Sequence, residues 1–388
     1  MTNPVSGYIS RNVVSTGARS RLVFALDNID MIRHVDKSNM LSFCVDMPNH
    51  YEKAAKLAKI SVDIPKPQNI IVSGMGGSAI GGELLKDWTR DKITVPIEVC
   101  RDYSLPAYAD KNTLVIVVSY SGETEESLSV FLDAVKRRCR TITISSGGAL
   151  EEFSKKLGFP HLRVPSGMAP RATLPYLFTP LPMLLEKMGL VSGVKPEISE
   201  TISVLKKISE ANKPEKPLSG NLAKTLAVNV DGTAPVVYGF EFYRAVAQRF
   251  KTQFNENSKV PAKWEYFPEL NHNEIVGWEE AEAFAKHFSV IFIRDKNEPE
   301  AIRQRIMVTK ELISKQSVKT FEVHAVGESR FAKMASVICV GDFVSVYLAV
   351  LRKVDPTPVR TISLLKKKMK ESGVKAKVIG ELQRIAKR

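Results

Sequence analysis

The run Asn69-Ile70-Ile71-Val72-Ser73 is apolar on both of its alternating faces, and Gly74-Met75-Gly76-Gly77-Ser78 follows it at once. A strand with no polar face needs cover on both sides, as in a parallel sheet flanked by helices. Small residues then let the chain turn directly into a helix, expected from about Ala79 to Arg90. The same succession recurs. Strands are expected at Ile97–Cys100, Thr113–Ser119, Thr141–Ile144 and His161–Val164, with helices at Glu125–Arg138 and Leu174–Met188. Two helical patterns, Ile29–Val35 and Tyr51–Ile60, precede them.

A segment rich in lysine and proline (Pro196, Pro214, Pro217) interrupts the alternation, and then the cycle restarts. Strands are expected at Pro235–Gly239, Trp264–Phe267, Ser289–Ile293 and Lys319–Ala325, with helices at Phe242–Phe254 and Phe331–Val350. Strands alternating with helices give an α/β fold with doubly wound parallel sheets, three layers deep. The chain therefore reads as a diverged duplication. Residues 1–28 form an N-terminal extension, 29–195 a first domain, 196–220 a connector, 221–370 a second domain and 371–388 a basic tail. A length of 388 residues and an apolar content of 44% suit two ordinary globular domains.

Composition narrows the function classes. No run of about 18 apolar residues marks a membrane span, and Met1–Arg21 lacks the apolar segment of a secretory leader. Cys44, Cys100, Cys139 and Cys339 are scattered without a CxxC pair, as expected of reduced, buried cysteines in a cytoplasmic protein. The net charge of +14 raises nucleic-acid binding. Lys366–Arg388 alone holds nine basic residues against two acidic ones, so much of the excess is local, and neither a nucleic acid nor a membrane partner is expected.

The Gly74–Gly82 turn suits a phosphate: small residues admit it to the backbone, and a helix N-terminus offers free N–H groups. It lacks the Gly-Lys-Ser/Thr of an ATP-type loop. Gly74, Gly76 and Ala79 fit the spacing of a dinucleotide fingerprint, with Glu98 or Asp102 as the acid, so that reading stays open on this loop alone. The second loop is Ser119-Tyr120-Ser121-Gly122-Glu123-Thr124. It adds three hydroxyls, Ser119, Ser121 and Thr124, at the next strand-to-helix turn. Ser121 and Thr124 would also serve as plain helix caps.

Together the segments GMGGSAIGG (74–82), SYSGETEES (119–127), RATLPYLF (171–178), NENSKVPA (255–262), PELNHNEIVGW (268–278) and DPTPVRTISLLK (355–366) resemble the sugar isomerase (SIS) domain proteins. The resemblance is strongest to the bifunctional phosphoglucose/phosphomannose isomerases of archaea and some bacteria. It implies two SIS domains and a homodimer that interconverts glucose 6-phosphate and mannose 6-phosphate with fructose 6-phosphate, without metal or other cofactor. It places the substrate phosphate on Gly76, Gly77, Ser78, Ser119, Ser121 and Thr124. By the same resemblance Glu256 is the base that carries a proton between C1 and C2. Arg171 stabilises the enediolate, and His272 opens the sugar ring from across the dimer interface. Lys366 is an active-site lysine, with Lys367 and Lys368 as alternatives. Thr357 and Thr361 are weak candidates for discrimination at C2.

These roles match the chemistry. Aldose–ketose isomerisation needs a base, a cation near the developing oxyanion and an acid/base for ring opening. A non-catalytic sugar-phosphate regulator would keep the two loops without needing Glu256 or His272. A glutaminase-linked relative would need an N-terminal cysteine, which Met1-Thr2 does not supply. One residue departs from the family pattern: Glu123 stands where asparagine is common, and a carboxylate near a phosphate is unfavourable unless it points away.

Overall fold

The computed structural model describes residues 25–57 and 65–387. The expected extension over 1–28 lies outside these residues except for its last four, as do the final residues of the helix expected to end at Ile60. Two compact units are present. One gathers Asn49–Ser199 with the chain from Val359 onward; the other gathers Glu200–Pro358 with the described residues up to Pro48.

The principal elements, in chain order, begin with β1 (Asn69–Ser73), α1 (Gly77–Thr89), β2 (Ile97–Cys100), β3 (Thr113–Val118), α2 (Glu125–Lys136), β4 (Arg140–Ser145), α3 (Gly148–Lys156) and β5 (His161–Arg163). There follow α4 (Val194–Asn212), α5 (Leu222–Val230), β6 (Ala234–Phe240), α6 (Arg244–Gln253), β7 (Lys263–Phe267), β8 (Phe288–Arg294), α7 (Glu300–Lys315), β9 (Lys319–His324) and α8 (Arg330–Leu351). Last come α9 (Arg360–Met369) and α10 (Val374–Ala386).

The first unit has a five-stranded sheet in the order β2-β1-β3-β4-β5, every pair parallel. All six residues of β3 are buried, as its uninterrupted apolar run requires. After β1 the chain adds β2 on one side and β3 on the other, so the order reverses between β1 and β3. In such sheets ligands bind beyond the carboxyl ends of the strands at that reversal. The second unit repeats the plan with β7-β6-β8-β9, again all parallel, reversing between β6 and β8. Its core is built on α8, which packs against α5, α6 and the short helices Ile29–Val35 and Met40–Val45. This helix is long and apolar enough to cross a membrane by length and composition, yet 94% of its most apolar window is buried inside the protein. All four cysteines are free and buried.

Several local expectations are revised. The single helix over Leu174–Met188 is two, Leu174–Phe178 and Pro180–Lys187, because Pro180 brings no N–H and clashes with the preceding turn. Helices α3, α5 and α7 were not anticipated. In α7, Ile302, Ile306, Thr309 and Ile313 turn one buried stripe inward while the charges stay outside. The largest revision concerns the basic tail. Residues 374–386 form α10, which packs on α2 and α3. Its Val378 and Leu382 join the core of Leu128, Phe131 and Phe153, with Ile379 and Ile385 packed alongside. Helix α9, expected with the second domain, groups with the first unit.

Candidate active site

The loops after β1 and β3 leave neighbouring strands at the reversal point. Gly76 takes φ +51° and ψ −120° as the N-cap of α1, a backbone suited to glycine. Gly77 approaches the short helix Pro170–Ala172 so closely that a Cβ would lie 3.1 Å from the Pro170 carbonyl oxygen. Arg171, in the middle of that helix, is only 3% exposed. The first loop and the backbone that carries Arg171 are therefore neighbours within one unit.

The two loops are joined directly: the Tyr120 N–H donates to the Ser78 hydroxyl at 3.2 Å. The Ser119 hydroxyl, itself buried, donates to the Thr124 hydroxyl at 3.0 Å. Ser121 is exposed, and its hydroxyl accepts the Glu123 N–H at 3.2 Å. Tyr120 anchors the turn from below. Its carbonyl accepts from the Ser146 N–H at 2.8 Å, and its buried hydroxyl, pushed up in pKa by desolvation, accepts from the Met168 N–H at 2.9 Å. The six residues expected to hold a phosphate thus lie on two stitched loops. Hydroxyls and backbone N–H groups at a helix N-terminus can hold an anion without a metal.

Glu123 points away from the hydroxyl set. One carboxylate oxygen accepts the Ala149 N–H at 2.8 Å, at the start of α3, and the other pairs with Lys375 of α10. A carboxylate at a helix N-terminus is favourably placed. Lys366 lies on α9, whose residues are all exposed, beside Lys367 and Lys368. Thr361 is exposed on the same helix.

Glu256 and His272 belong to the second unit. Glu256 is half-buried on a π-helical turn, Phe254–Ser258, that continues α6. Such turns widen the helix by one residue and are frequent at functional sites. Its neighbours are pinned. The Asn257 amide donates to the Ser345 hydroxyl at 2.9 Å, the Ser258 hydroxyl to the Ser345 carbonyl at 2.6 Å, and the Asn255 amide to the Val260 carbonyl at 2.8 Å. About two helical turns before Glu256, buried Arg249 pairs with Asp342 of α8 at 2.7 Å. Thr357 donates its N–H to Asp355 at 3.0 Å in the same unit.

His272 is exposed at the end of a short helix, Glu269–His272, held on both sides. The Asn271 amide donates to Thr309 of α7 at 2.8 Å. The Asn273 amide donates to Glu269 at 2.7 Å. Glu274 accepts the Tyr238 hydroxyl at 3.0 Å, and that hydroxyl accepts the Trp278 indole N–H at 2.9 Å. Tyr238, Trp278 and Lys375 escaped the sequence reading. An apolar stripe at 378, 382 and 385 was the signal that would have placed the last of them on a helix.

The second unit has its own reversal point, and its own side chains fill it. Asp295, just past β8, accepts the Tyr243 hydroxyl at 2.6 Å, the Lys333 ammonium at 3.0 Å and the Asn297 N–H at 2.9 Å. Burial raises its pKa, but these donors outweigh burial and hold the carboxyl below its ordinary value. The first unit has hydroxyls and glycines there; the second has an internal ion pair.

Residues 219–369 match the family model for the bacterial phospho-glucose isomerase C-terminal SIS domain. A bifunctional phosphoglucose/phosphomannose isomerase of Caldicellulosiruptor bescii is 43% identical over 336 residues, covering 86% of this chain and 99% of that protein. One of the same name from Aquifex aeolicus is 34% identical, covering 80% of this chain and 93% of that protein. In fold, the crystal structure of a hypothetical protein from Thermus thermophilus aligns with a TM-score of 0.72 at 15% identity, over 92% of this chain and 96% of that one.

Proposed function

Since the chain belongs to the bifunctional phosphoglucose/phosphomannose isomerase family, we propose that it interconverts glucose 6-phosphate and mannose 6-phosphate with fructose 6-phosphate. The phosphate rests on the two loops through Gly76, Gly77, Ser78, Ser119, Ser121 and Thr124. Glu256 lifts the proton from one carbon of the C1–C2 pair and returns it to the other through a cis-enediolate. Arg171 offsets the charge that develops on the enediolate oxygen, and Lys366 adds a second cation. His272 opens the ring.

One observation carries this reading: the bond from the Tyr120 N–H to the Ser78 hydroxyl, which sets two hydroxyl-bearing loops side by side at the carboxyl edge of the sheet. Support for Glu256 comes from the pinned turn that carries it. A homodimer offering His272 to its partner is supported by exposed apolar Met307, Val308 and Leu312 on α7, the helix to which Asn271 is tied.

The test is a coupled assay of the full chain on the three hexose phosphates, with and without EDTA, run beside Glu256→Gln. The expected result is turnover of all three, unaffected by EDTA, with kcat lowered about 10²–10⁴-fold in the variant and sugar-phosphate binding kept. Turnover retained by Glu256→Gln would remove it as the base. Binding without turnover in the unaltered chain would make this a sugar-phosphate regulator instead.

A further inference from the structure

The second loop contains one charge that opposes an anionic ligand, and the chain answers it from about 250 residues away. We propose that Lys375 on α10 neutralises Glu123 and thereby sets the affinity of the second loop for a phosphate. The proposal rests on the phosphate reading above and assigns a positioning residue to it.

Lys375 lies outside the residues that the family model matches, which end at 369. Its place is fixed by the packing of α10 rather than by its own ion pair. Val378 and Leu382 are buried against α2 and α3, and Lys136 of α2 pairs with Glu381 at 2.5 Å. Glu123 is oriented from three directions. Its N–H is on the Ser121 hydroxyl, one carboxylate oxygen is on the Ala149 N–H, and the other is on Lys375. The charged residue is thus bonded to a residue expected to touch the phosphate.

With side chains 45% and 37% exposed, the Glu123–Lys375 pair contributes little to stability. Its consequence for a ligand is different. A phosphate monoester carries close to two negative charges near neutral pH, and an uncompensated carboxylate on the same loop repels it over a distance that salt screens. The pair converts a repelling residue into a neutral brace that still caps α3.

The decisive measurement is steady-state kinetics on fructose 6-phosphate at about 0.02 M and about 0.5 M ionic strength. Lys375→Met removes the charge and keeps the aliphatic stem. It should raise KM about three- to ten-fold at low salt, the size expected of one partly solvated charge, with kcat within about two-fold and the increase lost at high salt. Lys375→Arg should keep the original KM, and the double variant Glu123→Gln/Lys375→Met should recover it. Lys136→Ala, which loosens the same helix without touching the loop, should leave kcat and KM unchanged.

A KM unaltered in Lys375→Met overturns the assignment. So does a rise that survives high salt and the double variant, because the helix would then act mechanically. Absence of both turnover and fructose 6-phosphate binding in the unaltered chain takes the phosphate reading down with it; normal turnover with an unmoved KM removes Lys375 alone.

Discussion

Gly122 is where the second loop has least room. Its φ is +68°, and a Cβ built there would lie 1.8 Å from the Gly147 carbonyl oxygen and 2.8 Å from the carbonyl carbon. Gly158, in the same unit, has φ +73° with nothing within 4 Å of an added Cβ. The two glycines share a backbone conformation and differ in surroundings, so Gly122→Ala and Gly158→Ala form a matched pair. Each substitution costs about 1–2 kcal/mol for a left-handed alanine. Each also gains the same small amount from a stiffer unfolded chain, which cancels in the comparison. Gly122→Ala carries a further overpacking cost of about 1–3 kcal/mol. Its obstacle is a backbone carbonyl, so relief must displace the segment whose Leu150 N–H donates to the Gly122 carbonyl at 3.0 Å. At about 2–4 °C per kcal/mol for a unit of this size, Gly158→Ala should lower the melting temperature by about 4 °C and Gly122→Ala by about 10 °C. Calorimetric melts measure this directly. KM for fructose 6-phosphate should rise only in the Gly122 variant. Equal melting of the two, within about 1 °C, would refute the close approach as the cause.

Two further outcomes are expected. Glu322 on β9 is held down to about 2 by His324, then by Lys310 and Arg294, despite burial that works the other way. Its ordinary value is 4.5, so the stability it adds is whole above about pH 4.5 and fades as the pH falls toward 2. That contribution is about 3 kcal/mol at most. Glu322→Gln should therefore melt below the unaltered chain at pH 7, and the gap should shrink below pH 4.5; a gap undiminished between pH 7 and pH 3 rules out charge as its source. Leu382→Ala empties a fully buried position on α10 and should cost about 2–5 kcal/mol by denaturant titration. A loss under about 1 kcal/mol would return residues 374–386 to the status of a loose tail.

The sequence was most informative where one physical constraint acted alone. β1 and β2 fall on the expected residues because a short apolar run with a turn after it has few other uses. The turns that follow β1 and β3 were legible for the same reason, and with them the position of the hydroxyls. Legibility failed where two signals competed. In α10, nine basic residues from Lys366 onward concealed a stripe of Val378 and Leu382. In α3, the charges of Glu151, Glu152, Lys155 and Lys156 outweighed the apolar signal of Ala149, Leu150 and Phe153, all three of which are buried. It also failed where geometry depends on distant partners. The π-turn under Glu256 has no pattern of its own, and it is pinned by Ser345 of another helix. The direction of the Glu123 carboxylate is decided by α3 and by Lys375, neither of which its neighbours in sequence announce.

Helix α8 has a bearing on how the chain is made. Its 22 residues have the hydropathy of a bilayer-spanning segment, a liability while they stand uncovered on a ribosome. The elements it packs against (Ile29–Val35, Met40–Val45, α5, α6 and the turn under Glu256) all precede it in the chain. Synthesis runs from the N-terminus at about 5–20 residues per second. The greasiest stretch of the molecule is therefore translated last in its unit, within about 1–4 s, when the surface that will shelter it has already left the exit tunnel.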